Sequence, residues 1–232
     1  MLGPDLRESP EHACNYLPGR MAKFRAFEAG RLSADTYQEL MDAGFRRSGR
    51  IVYQPTCARC RACVPLRVNV YAFGLTKSFR RTLKRNSDIT VRIAEPAPTA
   101  EKWLLYQRYQ QEWHAKADGS AENPQQFVEF LYDSPVETAE FEYRDAGGKL
   151  LGVGICDLSQ KSLSSVYFYF EPDERCRSLG TFSAVYEILW ARQMNIPYWY
   201  AGYWIEACGA MAYKSRFRPA EILATDGQWR RL

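Results

Sequence analysis

Residues 139–205 leave few folds open. Three strand candidates, "AEFEYRD" (139–145), "LLGVGICDLS" (150–159) and "LSSVYFYFEP" (163–172), follow one another with only "DAGGK" and "SQKS" at their junctions. Turns that short join antiparallel neighbours, so the three predict a meander. The run "RSLGTFSAVYEILWARQMN" (177–195) then reads as a crossover helix opening at a glycine, and "IPYWYAGYWI" (196–205) as a buried strand. A meander, a helix and a returning strand define an α+β half.

The upstream elements are shorter. Residues 1–20 read as irregular, broken by Pro4, Pro10, Pro18 and Gly19. Ser33 is placed to cap a helix that ends at Gly44. "SGRIVYQP", "PLRVNVYAF" and "ITVRIAEP" read as strands, and "TKSFRRTLKRNSD" as a helix capped by Thr76 or Ser78. "PAPTAEK" marks the expected boundary between a 1–95 region and a 96–232 region, the latter opening with helices over 100–116 and about 123–132. The start of the chain lacks an apolar run after a basic end, and no stretch approaches the roughly 20 apolar residues of a membrane span. Seven cysteines, an odd number, suit thiols or ligands in a reducing compartment, so a cytoplasmic protein is expected.

Charge is distributed very unevenly. Residues 44–92 hold twelve Lys and Arg against one acid, Asp88; they carry +11 of a chain whose net charge is +4, which leaves −7 for the rest. In the helix 76–86, Lys77, Arg80, Arg81, Lys84 and Arg85 fall at i, i+3, i+4, i+7 and i+8, on one face opposite Phe79 and Leu83. A row of like charges costs helix stability and calls for a counter-anion, and nucleic acid phosphate is the expected one. The competing reading is a solvated face.

Three other stretches carry candidate chemistry. Arg177 and Gly180, in the turn that opens the 177–195 helix, are placed to present a cation and backbone N–H groups to phosphate or carbonyl oxygens. "YWYAGYWI" with "MAYKSRFRP" concentrates aromatics beside Lys214, Arg216 and Arg218. "PTCARCRACVP" places Cys57, Cys60 and Cys63 at three-residue intervals, and Cys14 could join them after folding. Four thiolates suit zinc or an iron–sulfur cluster, with Arg59 and Arg61 expected to lower the thiol pKa values; unligated thiols packed in a loop are the alternative. Cys156, Cys176 and Cys208 look unrelated to this group.

The segments "CNYLPGR" (14–20), "GFRRSGRIVYQPTCARCRACVPLRV" (44–68), "SFRRTLKRNSD" (78–88), "SSVYFYFEP" (164–172), "SLGTF" (178–182), "YAGYWI" (200–205) and "MAYKSRFRP" (211–219) together resemble the aminoacyl-tRNA–protein transferases. The match is to the short bacterial leucyl-transferases, which are related to the arginyl-transferases. One departure is Ala210-Met211, where that family usually has Lys-Met. The resemblance implies an acetyltransferase-like (GNAT-related) catalytic half behind a smaller, basic, cysteine-containing N-terminal part. It implies transfer of leucine from leucyl-tRNA to the α-amine of proteins beginning with Asp or Glu, marking them for degradation, with no organic cofactor and no membrane. It also makes the cysteines candidates for a metal. The rival readings are an arginyl-transferase, an acyl-CoA-dependent N-acyltransferase and a non-enzymatic RNA-binding module.

On that basis Lys77, Arg80, Arg81, Lys84, Arg85, Arg177 and Gly180 are expected at tRNA. Arg46, Arg47, Tyr203, Lys214 and Arg216 are expected around the acceptor, whose side-chain carboxylate needs a cationic partner. Strand alternation sends Val166, Phe168 and Phe170 to one face and Tyr167, Tyr169 and Glu171 to the other. Glu171 is thus the candidate proton acceptor and Tyr167 the candidate donor to the oxyanion. A structural pairing of Glu171 with Arg175 or Arg177 is the alternative.

Overall fold

A computed structural model describes residues 5–113 and 123–232. In chain order, the first half holds strands β1 (Arg7–Glu8), β2 (His12–Ala13), β3 (Met21–Ala22) and β4 (Phe24–Glu28), then helix α1 (Ala34–Asp42). Strands β5 (Arg46–Ser48), β6 (Ile51–Pro55) and β7 (Val64–Asn69), helix α2 (Lys77–Arg85) and strand β8 (Thr90–Ala94) follow. The second half holds α3 (Ala100–Trp113), α4 (Pro124–Leu131), β9 (Thr138–Arg144), β10 (Leu150–Leu158) and β11 (Ser162–Phe170). It closes with α5 (Leu179–Gln193), β12 (Tyr198–Trp204), α6 (Gly209–Ala212), β13 (Ala220–Leu223) and β14 (Trp229–Arg231). The end of the helix expected over 100–116 lies outside the described residues. The segment 1–20, expected to be irregular, contributes two two-residue strands.

Local chemistry sets the helix starts. Ser33 caps α1 by accepting from the Thr36 N–H, and Thr76, rather than Ser78, caps α2 by accepting from the Phe79 N–H. The meander forms as expected: β9, β10 and β11 pair antiparallel in series. The full sheet has eight strands in the order β14-β13-β7-β12-β11-β10-β9-β8. Because β7 lies between β13 and β12 and β8 extends the far edge beyond β9, the expected boundary at 95/96 crosses one sheet. β2 and β3 pair as a separate two-stranded sheet, and β1, β4, β6 and β5 form another with its own small core of Phe27, Phe45 and Val52.

Apolar layers cover both faces of the eight-stranded sheet. On one, Phe141, Tyr143, Phe182, Ile188 and Trp199 pack with Phe79 of α2; on the other, Leu105, Tyr106, Phe127, Val153, Ile155 and Tyr169 pack together. This corrects the reading of β11 as a strand with one polar face. Tyr169 is fully buried and Tyr167 half-buried, because α3 and α4 cover the side opposite α5. Among the described residues, no helix is long and apolar enough to cross a membrane.

The feature that positions the site is a break in pairing. β11 and β12 run parallel but are registered only at Ser162–Tyr198, Leu163–Trp199 and Ser164–Tyr200. Beyond that point β11 stays with β10, while β12 shifts register against β7 between Tyr200 and Gly202. Gly202 adopts φ +81°, which favours glycine, and a Cβ there would lie 3.4 Å from the Arg46 guanidinium. The two strands therefore part in a wedge that starts at Ser165 and Ala201.

Candidate active site in the strand wedge

Two cations enter this wedge from different elements. Arg46, on β5, donates from Nη2 to the Ser165 carbonyl at 2.8 Å, on the β11 lip. Lys214, in the turn after α6, donates to the Tyr203 carbonyl at 2.9 Å, on the β12 lip. Among the described residues neither makes an ion pair, and Arg46 Nη1 is buried without a hydrogen-bond partner. A buried donor left unpaired is costly, and Nη1 is available to an acceptor from outside the chain. Burial, then the positive charge of Arg46, brings the Lys214 ammonium down to about 7, against a weak opposing pull from Cys208.

That depression has a measurable consequence. Between about pH 7 and the ordinary lysine range, the unfolded chain holds a proton at Lys214 that the native chain has released. Native stability therefore rises with pH across this window, and the full penalty stands below it. A Lys214→Met variant is expected to melt above the wild type at pH 7, with the gap closing toward pH 10.5; a gap that did not change with pH would mean that Lys214 is not held this way.

Glu187 of α5 lies beneath the wedge. Its carboxylate accepts from Trp199 Nε1 on β12 at 2.8 Å and from Ser183 Oγ at 2.7 Å, and burial pushes its pKa upward against these donors. It is the lone acid in "LGTFSAVYEILWA", and that isolation is the sequence signal that could have singled it out.

The other expected acceptor residues do not meet in the wedge. Arg47, next to Arg46 in sequence, is turned inward: Nε and Nη2 bind the two Asp157 oxygens at 2.7 and 2.5 Å, with both side chains fully buried. The Tyr203 hydroxyl donates to the Gly44 carbonyl at 2.9 Å and serves packing. Arg216 lies exposed near Ser78 and Phe79, on the side of α2.

The expected catalytic pair is also displaced. Glu171 follows Ser165 by six residues, about 20 Å along an extended strand, and pairs with Arg108 at 2.5 Å and Lys149 at 3.3 Å, not with Arg175 or Arg177. Tyr167 accepts from Gln110 Nε2 at 2.7 Å on the α3 side. A Glu171→Gln variant is expected to keep kcat within about threefold of wild type and to lose stability instead; a fall of 10² or more would return it to the chemistry.

On α2 the five cations are exposed, as the periodicity predicts, while Phe79 is buried and stacks on Phe217. Among the described residues Lys77, Arg80, Arg81 and Lys84 make no ion pair; Arg85 binds the Cys176 carbonyl in the loop that leads into α5. Arg177 is not available as expected, because it pairs with Asp88 and Glu174, each at 2.8 Å. Gly180 lies in the first turn of α5 with open space where a side chain would be.

Cys14, Cys57, Cys60 and Cys63 do converge, around a 30 Å³ cavity that Tyr16 and Ile205 also line. Cys208, read as unrelated, lies close enough to act on Cys63. Burial and the neighbouring thiols raise Cys63 to about 12, opposite to the expected effect of the arginines, since Arg61 donates to the Cys57 and Cys60 carbonyls instead. Among the described residues no group of three His, Cys, Asp or Glu side chains is arranged to hold a metal ion. The donor set as folded does not fit zinc or a cluster, and no step below passes through one. Stoichiometric zinc or iron in protein purified without oxygen, lost on Cys60→Ser, is the result that would make these cysteines ligands.

A largely antiparallel sheet, covered on both faces, with one parallel pair that opens above a helix, is a mixed α+β architecture. In keeping with this, the chain aligns with the C-terminal domain of a putative lysylphosphatidylglycerol synthetase from Agrobacterium fabrum at TM-score 0.52 and 16% identity, over 89% of this chain and 65% of that one. Residues 12–81 match the N-terminal and residues 101–224 the C-terminal family model of arginine-tRNA-protein transferase, and the chain belongs to that family. Similar curated relatives are the aspartate/glutamate leucyltransferases of Hahella chejuensis, 37% identical over 94% of this chain and 93% of that protein, and of Pseudomonas syringae pv. syringae, 40% identical over 94% and 92%.

Proposed function

We propose that this protein transfers leucine from leucyl-tRNA to the free α-amine of proteins that begin with Asp or Glu, marking them for degradation in the cytoplasm. The observation that carries this reading is the pair of cations in the wedge, Arg46 and Lys214, neither of which pairs with a carboxylate among the described residues. An acceptor side-chain carboxylate supplies the missing anion, with Arg46 Nη1 as its donor. The relatives named for aspartate/glutamate leucyl transfer support the choice of acceptor and of donor amino acid.

The donor reaches the wedge along α2. Its exposed cations suit successive backbone phosphates, which positions a nucleic acid without reading its bases. Arg85 at the end of that row binds the loop that enters α5, the helix beneath the wedge, so the row leads toward the reacting ester. The reaction is aminolysis of an ester that is already activated, and its demands are a neutral amine and donors for the oxyanion. An acyl-CoA donor is less well served, since Arg177 is already held by two carboxylates.

The test is charge reversal on α2. An Arg80→Glu/Lys84→Glu variant is expected to bind leucyl-tRNA more weakly and to flatten the salt dependence by about one unit of slope per lost phosphate contact. Unchanged affinity and slope in a folded variant would make the row a solvated face. Transfer assays with leucyl- and arginyl-tRNA, against peptides that differ only at residue one, decide the donor amino acid.

A further inference from the structure

We propose that Lys214 is the general base of the transfer, and that the acceptor's own carboxylate, by binding Arg46, tunes the strength of this base. The inference rests on the acceptor site proposed above. It assigns the two wedge cations different tasks: Arg46 recognises the carboxylate and Lys214 moves the proton.

Geometry separates the two. Arg46 approaches the β11 lip and offers the unpaired Nη1, while Lys214 approaches the β12 lip with a single backbone contact. Among the described residues the Tyr203 carbonyl is the one hydrogen-bond acceptor of this ammonium, so little of the protein holds it as a cation. The charged or titratable groups that act on it are Arg46 from β5 and Cys208 from the turn before α6. Of these, Arg46 is the larger, and it lowers the proton affinity of Lys214.

No other described group fits the role. Glu171 is some six residues along β11 and bound by two cations. Glu187 already accepts from Trp199 and Ser183. His12 lies on β2, tilted against Phe24 with ring centroids 5.2 Å apart.

The reaction balances as follows. The acceptor nitrogen attacks the ester carbonyl carbon, the C–N bond forms, and the carbonyl oxygen takes up the negative charge. The nitrogen, now positively charged, gives one proton to the neutral Lys214 Nζ. The tetrahedral centre collapses, the bond to the ribose oxygen of the tRNA breaks, and Lys214 returns the proton to that oxygen, ending neutral as it began. When a carboxylate neutralises Arg46, the field that lowers the proton affinity of Lys214 is cancelled, so the base becomes stronger but stays protonated, and idle, up to a higher pH. The acceptor's first residue is then expressed in the pH dependence of kcat as well as in KM.

The experiment is single-turnover transfer from leucyl-tRNA at saturating peptide, from pH 6 to 9, with peptides that begin with Asp and with Asn. Wild-type protein that transfers no amino acid from leucyl- or arginyl-tRNA would overturn the functional reading itself, before any variant is considered. Given transfer, Lys214→Gln and Lys214→Arg are both expected to lower the rate by roughly 10² or more. Their tRNA affinity and their KM for the Asp peptide should stay within about threefold of wild type, and the pH limb near neutrality should flatten. In the wild type the limb should lie at higher pH with the Asp peptide than with the Asn peptide, and this difference should vanish in both variants. A normal rate with a raised KM would make Lys214 a carboxylate ligand, and rescue by the arginine variant would make it a fixed cation; either result overturns the proposal.

Discussion

Replacing Arg46 by methionine is expected to raise KM for peptides that begin with Asp or Glu by about 30-fold to several thousand-fold, with affinity for leucyl-tRNA nearly unchanged. The range corresponds to the ~2–5 kcal/mol that is lost when one partner of a buried, charge-assisted contact is removed. Its size follows from the setting. Arg46 is buried, its Nη2 is fixed on the Ser165 carbonyl, and Gly202 leaves its guanidinium just enough room, so Nη1 is oriented before the acceptor arrives. A peptide that begins with Asn lacks the charge and should lose much less. Steady-state kinetics with the Asp and Asn peptides on both proteins measures the difference, and an equal loss for both would reduce Arg46 to a brace for the wedge.

The second large effect is on stability. The Arg47–Asp157 pair is fully buried, and Asp157 also accepts from Tyr37 at 2.6 Å and from Thr138 at 2.9 Å. Asp157→Ala leaves a buried guanidinium uncompensated and two hydroxyls without their acceptor, so a loss of about 3–5 kcal/mol is expected. At ~2–4 °C per kcal/mol for a chain of this size, that is about 6–20 °C in Tm. A double replacement, Arg47→Met with Asp157→Leu, removes both charges and should recover most of the loss, since the pair's desolvation cost goes with it. Denaturant unfolding of the three variants decides the matter. A single variant within 1 kcal/mol of wild type would show that water reaches the pair.

Adjacent arginines show how far sequence reasoning carries. "FRR" announces two cations on a short strand, and alternation sends them to opposite sides of it. Which one meets Asp157, 110 residues later, and which one is left open is not written locally. The same holds for Glu171. Its place at the end of an apolar strand looked like a mouth, but α3 and α4 cover that face and Arg108 and Lys149 neutralise the carboxylate. Cys208 joins the other cysteines only because β12 carries the chain back beside the 57–63 loop.

What the sequence determined by itself was whatever depends on neighbours a few residues apart. The meander from 138 to 170 follows from short turns and strand periodicity, and the cap at Ser33 from a side chain that reaches its own backbone, while the choice of Thr76 over Ser78 came with the fold. The cationic face of α2 follows from helical spacing alone, and the family from motifs in order along the chain. The tertiary structure decided what depends on partners from distant segments. It inserted β7 between β12 and β13, opened β12 away from β11 at Gly202, and left Arg46 and Lys214 on the two lips of the wedge without an ion pair among the described residues. The physical reason is that spacing along a chain fixes the direction of a side chain, whereas its charge state and its unpaired donors are set by whatever folds against it.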